Sequence, residues 1–499
     1  MSTSTYAETP TSRGGLVAVR NMAIVAASLV ATWSLALLVR LVLPRSLGPA
    51  LFGQYSFAEA LAMNGFAFLG FGVDVYVQKE IPRRPEHASD FFGGTQLARV
   101  VGSVFVLAAL AIVARRAGYS AAVVGTALAF GLAQLCILLA NTCATLLYAA
   151  RQVGRLSALN IASKLVWAAG IALALALKAS LWVLAAAAAV SEASRLVVLY
   201  RLARDASGVR VRFDLRETFA VFRRSSPFWI NQVAIVLYAK IGVAIMGLLV
   251  TDRELGYYGA ATNVSSVAML ASPLLGWVLT PELARTVRDR PAFTAMLRRS
   301  LEWTLALAIP TAMLLGLGAS EIVRVVFGAR FLPAVDAMRA LMPIFVFAYV
   351  AILGATALIL EERSWTVTAV TVASFVVNAA LNVAVVRPSW RWLGEGGAGV
   401  GAATVSVATE AAVAATYVWL LRREMLDTRN VQAALKSFGA CAVTIVFHLA
   451  CPDLGPLRLA LDALLYGALV IGSRALRVRE LVALVRSIRK QPRGNHEHS

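Results

Sequence analysis

The residues of this sequence that can do chemistry are charged side chains inside long apolar segments. Cations there can hold phosphate or other anionic groups through charge-assisted hydrogen bonds, and acids can bind a proton or a sodium ion. The candidates for binding an anionic substrate are Lys240, Lys164, Arg40, Arg99 and Arg195. The candidates for ion coupling are Glu410, Glu59, Asp74 and Glu192. Each charge costs about 2.5–3.5 kcal/mol near the membrane midplane, so we expect a cavity or a partner at each.

Spacing along the chain separates these candidates into groups. Glu192 and Arg195 lie three residues apart, as do Asp336 and Arg339, which favours local ion pairs on one helix face. Arg40 and Arg99 lie toward helix ends, where a long side chain can reach the membrane surface. Lys164 has no local acid.

Lys240 and Glu410 lie near the middle of their apolar segments, and no acid lies close to Lys240 in sequence. We expect both to line a cavity, because a midplane charge needs water or a partner. A Lys240–Glu410 pair with a structural or gating role is the alternative.

The elements that position these charges are transmembrane helices. Of 499 residues, 59% are hydrophobic and only 15% are charged, which argues against a soluble enzyme and against a disordered chain. A spanning helix needs about 20 apolar residues. Fourteen segments qualify: Val17–Leu43, Phe52–Val77, Phe91–Ala114, Tyr119–Ala149, Leu156–Leu177, Leu181–Leu202, Pro227–Val250, Leu255–Leu283, Leu301–Phe327, Leu332–Leu360, Ser364–Val386, Gly397–Leu421, Ala434–Ala450 and Leu457–Arg474. The sequence therefore predicts an all-α, polytopic membrane protein.

The distribution of basic residues predicts the orientation. The net charge is +20, and with the N-terminus inside, 31 Lys and Arg fall in inner connections and 10 in outer ones. This bias predicts that both termini are cytoplasmic. The outer pair Arg115–Arg116 does not fit it, and nothing in the sequence explains the exception.

The lengths and residues of the connections between spans limit the classes of function that are possible. The longest outer one, Arg387–Gly396, is about ten residues and holds no catalytic constellation, so we predict neither a catalytic site nor a cofactor. The four cysteines form no CxxC pair, and we predict no metal site. The basic residues lie between apolar spans, which favours membrane lipids over nucleic acid as partners.

The longest inner connection and the C-terminal tail are both basic. In residues 203–226, Leu215, Phe219 and Phe222 recur at helical spacing after Asp214, a candidate N-cap, which predicts a short amphipathic helix on the membrane surface. The tail from Arg474 to Lys490 shows a similar pattern, and a solvated basic end is the alternative there.

Two connections half a membrane domain apart resemble each other. Phe52-Gly53-Gln54-Tyr55-Ser56 and Leu255-Gly256-Tyr257-Tyr258-Gly259 share an apolar residue, Gly, one residue, Tyr and a small residue, at an offset of about 203. Such a repeat is typical of a two-lobed transporter. The predicted division is an N-terminal six-helix lobe (1–202), a cytoplasmic linker (203–226), a pseudo-symmetric C-terminal six-helix lobe (227–423), two further helices (424–475) and a basic cytoplasmic tail (476–499).

Several glycine-containing motifs recur in a fixed order along the chain. They are Arg45-Ser46-Leu47-Gly48-Pro49, Phe52-Gly53-Gln54-Tyr55, Gly70-Phe71-Gly72-Val73-Asp74, Leu255-Gly256-Tyr257-Tyr258-Gly259-Ala260-Ala261, Thr280-Pro281-Glu282-Leu283-Ala284-Arg285, Val326-Phe327-Gly328-Ala329-Arg330-Phe331 and Gly399-Val400-Gly401-Ala402-Ala403. In this order, from roughly Val17 to Arg423, they resemble the signatures of polysaccharide flippases of the multidrug/oligosaccharidyl-lipid/polysaccharide exporter superfamily.

The resemblance implies two six-helix lobes around a cavity that opens alternately to each side of the bacterial cytoplasmic membrane. It implies undecaprenyl-diphosphate-linked oligosaccharide as cargo, for a cell-surface polysaccharide such as exopolysaccharide or O-antigen, with other assembly proteins as candidate partners. The chain departs from the family at Lys240-Ile241-Gly242, where an acid often stands beside a base, so proton, sodium or no coupling all stay open. The alternatives are a cation-coupled drug or metabolite antiporter of the same superfamily and, from another class, a membrane-embedded polysaccharide polymerase or ligase.

Overall fold

The computed structural model describes residues 12–81, 84, 87–150, 152–209, 211–269, 279–280, 282–451, 455 and 457–473, and no strand occurs among them. The first eight α-helices are α1 Ser12–Ala67, α2 Val73–Glu80, α3 Ala88–Arg116, α4 Ala121–Ala149, α5 Val153–Ala176, α6 Leu181–Ser207, α7 Leu215–Leu249 and α8 Asp252–Ala268. The others are α9 Arg290–Leu317, α10 Ala319–Ile322, α11 Ala334–Leu341, α12 Ile344–Leu360, α13 Ser364–Leu393, α14 Gly397–Leu420, α15 Arg422–Met425, α16 Thr428–Ala450 and α17 Leu457–Gly472.

The helices confirm the predicted fold class, an all-α multi-pass membrane protein. Each of the fourteen predicted spans overlaps at least one helix in the described residues. Eleven helical segments there are long and apolar enough to cross a membrane, and the first of them, Ser28–Gly70, contains parts of two predicted spans. Helices α8 and α17 have 17 and 16 described residues and coincide with parts of the predicted spans Leu255–Leu283 and Leu457–Arg474.

The first two predicted spans meet at a kink inside α1. Gly48 has φ 74° and ψ 170°, which interrupts the helical backbone there, between Pro44 and Pro49. A positive φ costs glycine little because it has no Cβ. The kink therefore lets one continuous run of residues form two membrane-length segments.

Helix α7 begins where the sequence predicted a helix N-cap. The Asp214 carboxylate accepts hydrogen bonds from the backbone N–H groups of Arg216 (2.9 Å) and Glu217 (3.1 Å), which confirms the N-cap. The prediction of a separate surface helix was wrong, because α7 runs without interruption through Pro227 to Leu249. A membrane helix can accommodate a proline when its neighbours satisfy the freed backbone groups. The predicted amphipathic segment from Arg474 and the basic tail 476–499 lie outside the described residues.

The chain divides into two compact units, unit 1 (Met1–Gly259) and unit 2 (Ala260–Ser499). In unit 1, a buried cluster that includes Phe91, Leu146 and Leu199 joins helices α3, α4 and α6. In unit 2, one buried cluster joins α9, α12 and α14, and a second packs α16 and α17 against α9 and α12. The lobe boundaries given above stay a prediction.

Candidate functional site

Helices α5 and α6 carry a cluster of charges near their midpoints, which we call the α5–α6 charge cluster (Asn160, Lys164, Glu192 and Arg195). The Lys164 Nζ lies 3.4 Å from Glu192 Oε1, and Arg195 Nη1 lies 3.0 Å from Glu192 Oε2. Arg195 Nε also donates to Asn160 Oδ1 at 3.1 Å. Two cations thus share one buried carboxylate, and the cluster keeps a net charge of +1.

Small residues bring α5 and α6 close enough for these contacts. The Ser191 hydroxyl donates to the Ser163 carbonyl at 2.6 Å, and the two hydroxyl oxygens lie 3.0 Å apart. A Cβ atom added at Gly170 would lie 2.9 Å from the Ala187 Cβ. Close packing of small residues and interhelical hydroxyl bonds are common between membrane helices.

The two cations of the cluster differ in exposure. The Lys164 side chain is 38% exposed and its ammonium lies 5.4 Å from the centre of the Trp167 ring, whereas the Arg195 side chain is 14% exposed. Lys164 can therefore reach a ligand while Arg195 neutralises Glu192. The sequence indicated the local Glu192–Arg195 pair, which is confirmed, but Lys164 lies 28 residues from Glu192 and its pairing was missed.

Arg99 is a candidate cation whose guanidinium group is hydrogen-bonded on all sides by the protein. Its side chain is fully buried and donates five hydrogen bonds. The acceptors are the carbonyls of Leu69 (3.2 Å), Leu138 (2.7 Å) and Gly70 (3.0 Å), the Thr142 hydroxyl (2.6 Å) and the Asp74 carboxylate (3.5 Å). Thr142 in turn donates to Asp74 at 2.8 Å. These contacts favour a structural role for Arg99 and Asp74, because little hydrogen-bonding capacity is left for cargo.

The same arginine holds the turn at residues Gly70–Gly72, which joins α1 to α2. The turn also accepts a hydrogen bond from α7, in which the Ser225 hydroxyl donates to the Phe71 carbonyl at 2.7 Å. Phe71 and Gly72 have φ 53° and 66°, and a Cβ atom on Gly72 would lie 2.6 Å from the Ser225 carbonyl oxygen. The motif Gly70-Phe71-Gly72-Val73-Asp74 is thus explained by left-handed backbone, close packing and the Arg99 contacts.

Lys240 differs from the paired cations. It lies on α7, is half-buried, and has no hydrogen bond or ion pair with the described residues of unit 1. A half-buried ammonium on an apolar helix retains three donors for a ligand. Glu410 is half-buried on α14 in unit 2 and has interactions of its own, so the predicted pair with Lys240 stays a prediction.

Arg40 and Glu59 lie on α1 on either side of Tyr55. Arg40 is exposed and Glu59 is half-buried. Glu59 forms no hydrogen bond or ion pair within the described part of the chain, whereas Arg40 has interactions of its own. Glu59 is therefore available to bind an ion.

The two repeated elements pack against each other in unit 1, which the sequence did not reveal. A Cβ atom on Gly53 would lie 1.8 Å from the Asp252 carbonyl oxygen, and one on Gly256 would lie 1.9 Å from the Pro49 carbonyl oxygen. The repeat marked both glycines by its pattern. Their contact follows only from the fold.

Side-chain hydrogen bonds also stabilise the contact between the two repeated elements. Gln54 Nε2 donates to Asp252 Oδ2 at 2.7 Å, and the Tyr119 hydroxyl donates to the Gly247 carbonyl at 2.7 Å. Burial, followed by the charge and hydrogen bond of Asp252, raises the pKa of Tyr119, so its hydroxyl stays protonated. We call Gly53, Gln54, Tyr119, Asp252 and Gly256 the turn-contact residues.

Metal ligands do not gather in the described ranges, where no group of three or more His, Cys, Asp or Glu could hold a metal ion. Residues 18–287 match the model of a family described as polysaccharide biosynthesis protein. The chain belongs to this family. The match supports the predicted resemblance to polysaccharide flippases.

Solved structures show which fold this member of the polysaccharide biosynthesis protein family has. A structure of the lipid II flippase MurJ in an inward closed conformation matches it with a TM-score of 0.70 at 13% identity, covering 92% of this chain and 99% of that one. An inward-facing multidrug resistance MATE transporter of the MOP superfamily matches with a TM-score of 0.56 at 12% identity, covering 78% and 98%. A Vibrio cholerae MATE transporter matches with a TM-score of 0.54 at 10% identity, covering 81% and 98%. These likenesses show that the chain has the fold that MurJ shares with the MATE transporters. Curated protein sequences show no significant match to the chain.

Proposed function

We propose that this protein is a flippase that moves undecaprenyl-diphosphate-linked oligosaccharide across the bacterial cytoplasmic membrane by alternating access, with both termini in the cytoplasm. Support comes from the family match, from the fold shared with MurJ and the MATE transporters, and from cations placed along apolar helices. The cargo serves cell-surface polysaccharide assembly, and other assembly proteins are proposed partners. We propose no cofactor and no catalytic residue.

The observation that carries this proposal is Lys240. Its ammonium is half-buried on an apolar helix and is not neutralised by a described residue of unit 1. A lipid diphosphate brings at least two negative charges, and an unneutralised cation in a low-dielectric setting attracts it strongly. Lys164 is the second proposed contact because its exposed end belongs to a cluster with net positive charge.

We assign the coupling ion to Glu59 or Glu410. Both carboxylates are half-buried on apolar helices. Asp74 and Glu192 are less suited to this role, because Arg99 and the pair of Lys164 and Arg195 already neutralise them.

The sign of the embedded charge separates the flippase from its competitors. A drug antiporter that binds cationic compounds needs an acid-rich site, whereas the candidates in unit 1 are five cations and three acids, and two of those acids are already neutralised by cations. A polymerase or ligase needs catalytic groups outside the membrane, and the connection joining α13 to α14 is shorter than such a site requires.

Lys240 substitutions in the native host test the proposal. Lys240→Ala should lower translocation of lipid-linked oligosaccharide at least about tenfold, because one charge-assisted hydrogen bond contributes about 1.5–3 kcal/mol. Lys240→Arg should retain part of the activity, since the charge survives and the shape changes. The measurement is the fraction of lipid-linked sugar in each leaflet after the chromosomal gene is replaced.

The matched control is Lys178→Ala, which removes a lysine from an exposed turn and should leave transport unchanged. The double substitution Lys240→Ala with Glu410→Ala separates cargo binding from a structural pair. If cargo binding is the role, transport stays lost in the double variant; recovery of expression and transport would instead indicate a pair. Wild-type transport by Lys240→Ala would refute the assigned role.

A further inference from the structure

Unit 2 contains a cavity of about 590 Å³ where α9 and α16 begin. It lies at the end of the unit that the distribution of basic residues assigns to the cytoplasm. The charged and amide side chains that line it are Arg298, Arg299, Glu302, Asp427, Arg429 and Asn430. None of these residues belongs to the candidate site above.

Arg298 is fixed in this cavity by the protein. Its Nη2 donates to the Arg423 carbonyl at 3.0 Å, and its Nη1 lies 3.8 Å from Asp427 Oδ2. Asn430 donates to the Arg298 carbonyl at 3.2 Å. The Arg298 Nε is buried and has no hydrogen-bond partner within the described residues, so one donor of a held guanidinium is left for an acceptor. An unmade buried hydrogen bond costs free energy, which an oxygen ligand would recover.

The charge of the lining favours a singly charged anion. Three arginines face two acids, Glu302 and Asp427, which leaves a net charge of +1. The Arg429 Nε lies 3.7 Å from Glu302 Oε1, so this pair is loose and partly exposed. Arginine forks match phosphate oxygens, and one phosphodiester group carries the single negative charge that balances the lining.

Aromatic residues near the cavity place it at the level of lipid headgroups. The Arg299 guanidinium lies 5.6 Å from the Trp303 ring and Arg422 lies 5.8 Å from the Trp419 ring, and Trp with Arg is typical of the membrane interface. Beyond Arg299, residues 301–317 carry one charge, Glu302. On α16, Leu435 and Phe438 are 65% and 50% exposed, as expected for side chains that contact acyl chains.

We propose that this cavity binds the phosphodiester headgroup of an anionic phospholipid whose acyl chains stay in the bilayer beside α16. The phosphate accepts hydrogen bonds from Arg298, Arg299 and Arg429, and the lipid joins the start of α16 to α9. The proposal concerns a resident lipid and is independent of the cargo.

Native mass spectrometry of the full-length protein tests this site. Phosphatidylglycerol and phosphatidylcholine with the same acyl chains are the probes, and phosphatidylglycerol should bind at least about tenfold more tightly. Arg299→Gln with Arg429→Gln should remove this preference. The matched control is Arg339→Gln with Arg363→Gln, which removes two arginines of unit 2 that do not line the cavity and should leave the preference intact.

Glu302→Gln tests the site in the opposite direction, because it raises the net charge of the lining from +1 to +2. It should tighten phosphatidylglycerol binding about threefold, a modest electrostatic gain at a partly exposed site. This result stays informative if the double arginine variant fails to fold. Equal binding of both lipids, or an unchanged preference in the double variant, would overturn the proposal.

Two further probes distinguish the source of the phosphate. Inorganic phosphate at millimolar concentration should not displace phosphatidylglycerol, because it lacks the acyl chains; displacement would assign the cavity to a soluble anion. A polyprenyl diphosphate should bind less tightly than phosphatidylglycerol, because the second phosphate lacks an arginine partner once Arg298, Arg299 and Arg429 hold the first, and its desolvation is then not compensated. Tighter binding of the diphosphate would assign the cavity to cargo loading and overturn the resident-lipid proposal.

Discussion

At the scale of single residues, the embedded cations differ in what neutralises them. Arg99 donates five hydrogen bonds and is fully buried, Arg195 is held by Glu192 and Asn160, and Lys164 keeps one exposed end. Lys240 has no such partner in the described part of unit 1. The same type of charge thus serves folding at one position and is available for binding at another.

Replacing Arg99 tests its structural role. Arg99→Met should lower the free energy of unfolding by about 3–5 kcal/mol, because it leaves Asp74 and several backbone carbonyls without their donor. Arg339→Gln is the matched control, since Arg339 forms a local pair with Asp336 at 3.4 Å on an exposed helix face and should cost less than about 1 kcal/mol. The measurement is unfolding of both variants in the same detergent. Equal stabilities would contradict the assignment.

Sequence reasoning identified pairs within one helix turn and missed those between helices. Glu192–Arg195 and Asp336–Arg339 follow from helical spacing and are confirmed. His448 has no acid three or four residues away in sequence, yet its Nδ1 lies 2.5 Å from Asp462 Oδ2 in α17. Such pairings depend on how helices pack, which a single sequence does not specify.

At the scale of elements, two close contacts at glycines determine how helices of unit 1 meet. The Gly70–Gly72 turn is held by Arg99 on α3 and by Ser225 on α7. The turn-contact residues bring the end of α7 and the start of α8 against α1. In both places two backbone segments approach each other so closely that a side chain on the glycine would displace a neighbouring carbonyl group.

Gly256→Ala tests the close approach between the two repeated segments. The added Cβ would lie 1.9 Å from the Pro49 carbonyl oxygen, so the segments must separate at a cost of about 1–3 kcal/mol. Gly439→Ala is the matched control, because nothing lies within 4 Å of its Cβ position and alanine favours the helix by about 0.5–1 kcal/mol. Thermal unfolding should show the two variants moving in opposite directions, and a stabilised Gly256→Ala would refute the contact.

The sequence predicted the presence of each helix better than the residues at which the helix begins and ends. Length and hydropathy located each of the eleven membrane-length segments in the described residues, because both are local properties of the chain. Pro227 suggested a helix boundary that the fold does not contain, and the Gly48 kink lies inside a run that the structure keeps as one element. Whether a proline or glycine ends a helix depends on the neighbouring helices that satisfy its backbone.

At the scale of the whole molecule, the proposed orientation rests on the distribution of basic residues. Labelling of single cysteines in a cysteine-free background of intact cells tests it. Lys178→Cys, in the turn joining α5 to α6, should react with an impermeant reagent added outside, whereas Ser207→Cys, at the end of α6, should react only after the membrane is opened. The reverse pattern would place both termini outside.

The contact between the two repeated segments also constrains how this sequence can diverge. Each glycine faces the backbone of the other repeat rather than a side chain, so a change in a neighbouring side chain cannot compensate for a larger residue at either position. Both positions must then keep small residues together, and relatives that lose the glycine at one position should show a rearranged backbone at both. In an alignment of relatives, positions 53 and 256 should therefore change together or not at all.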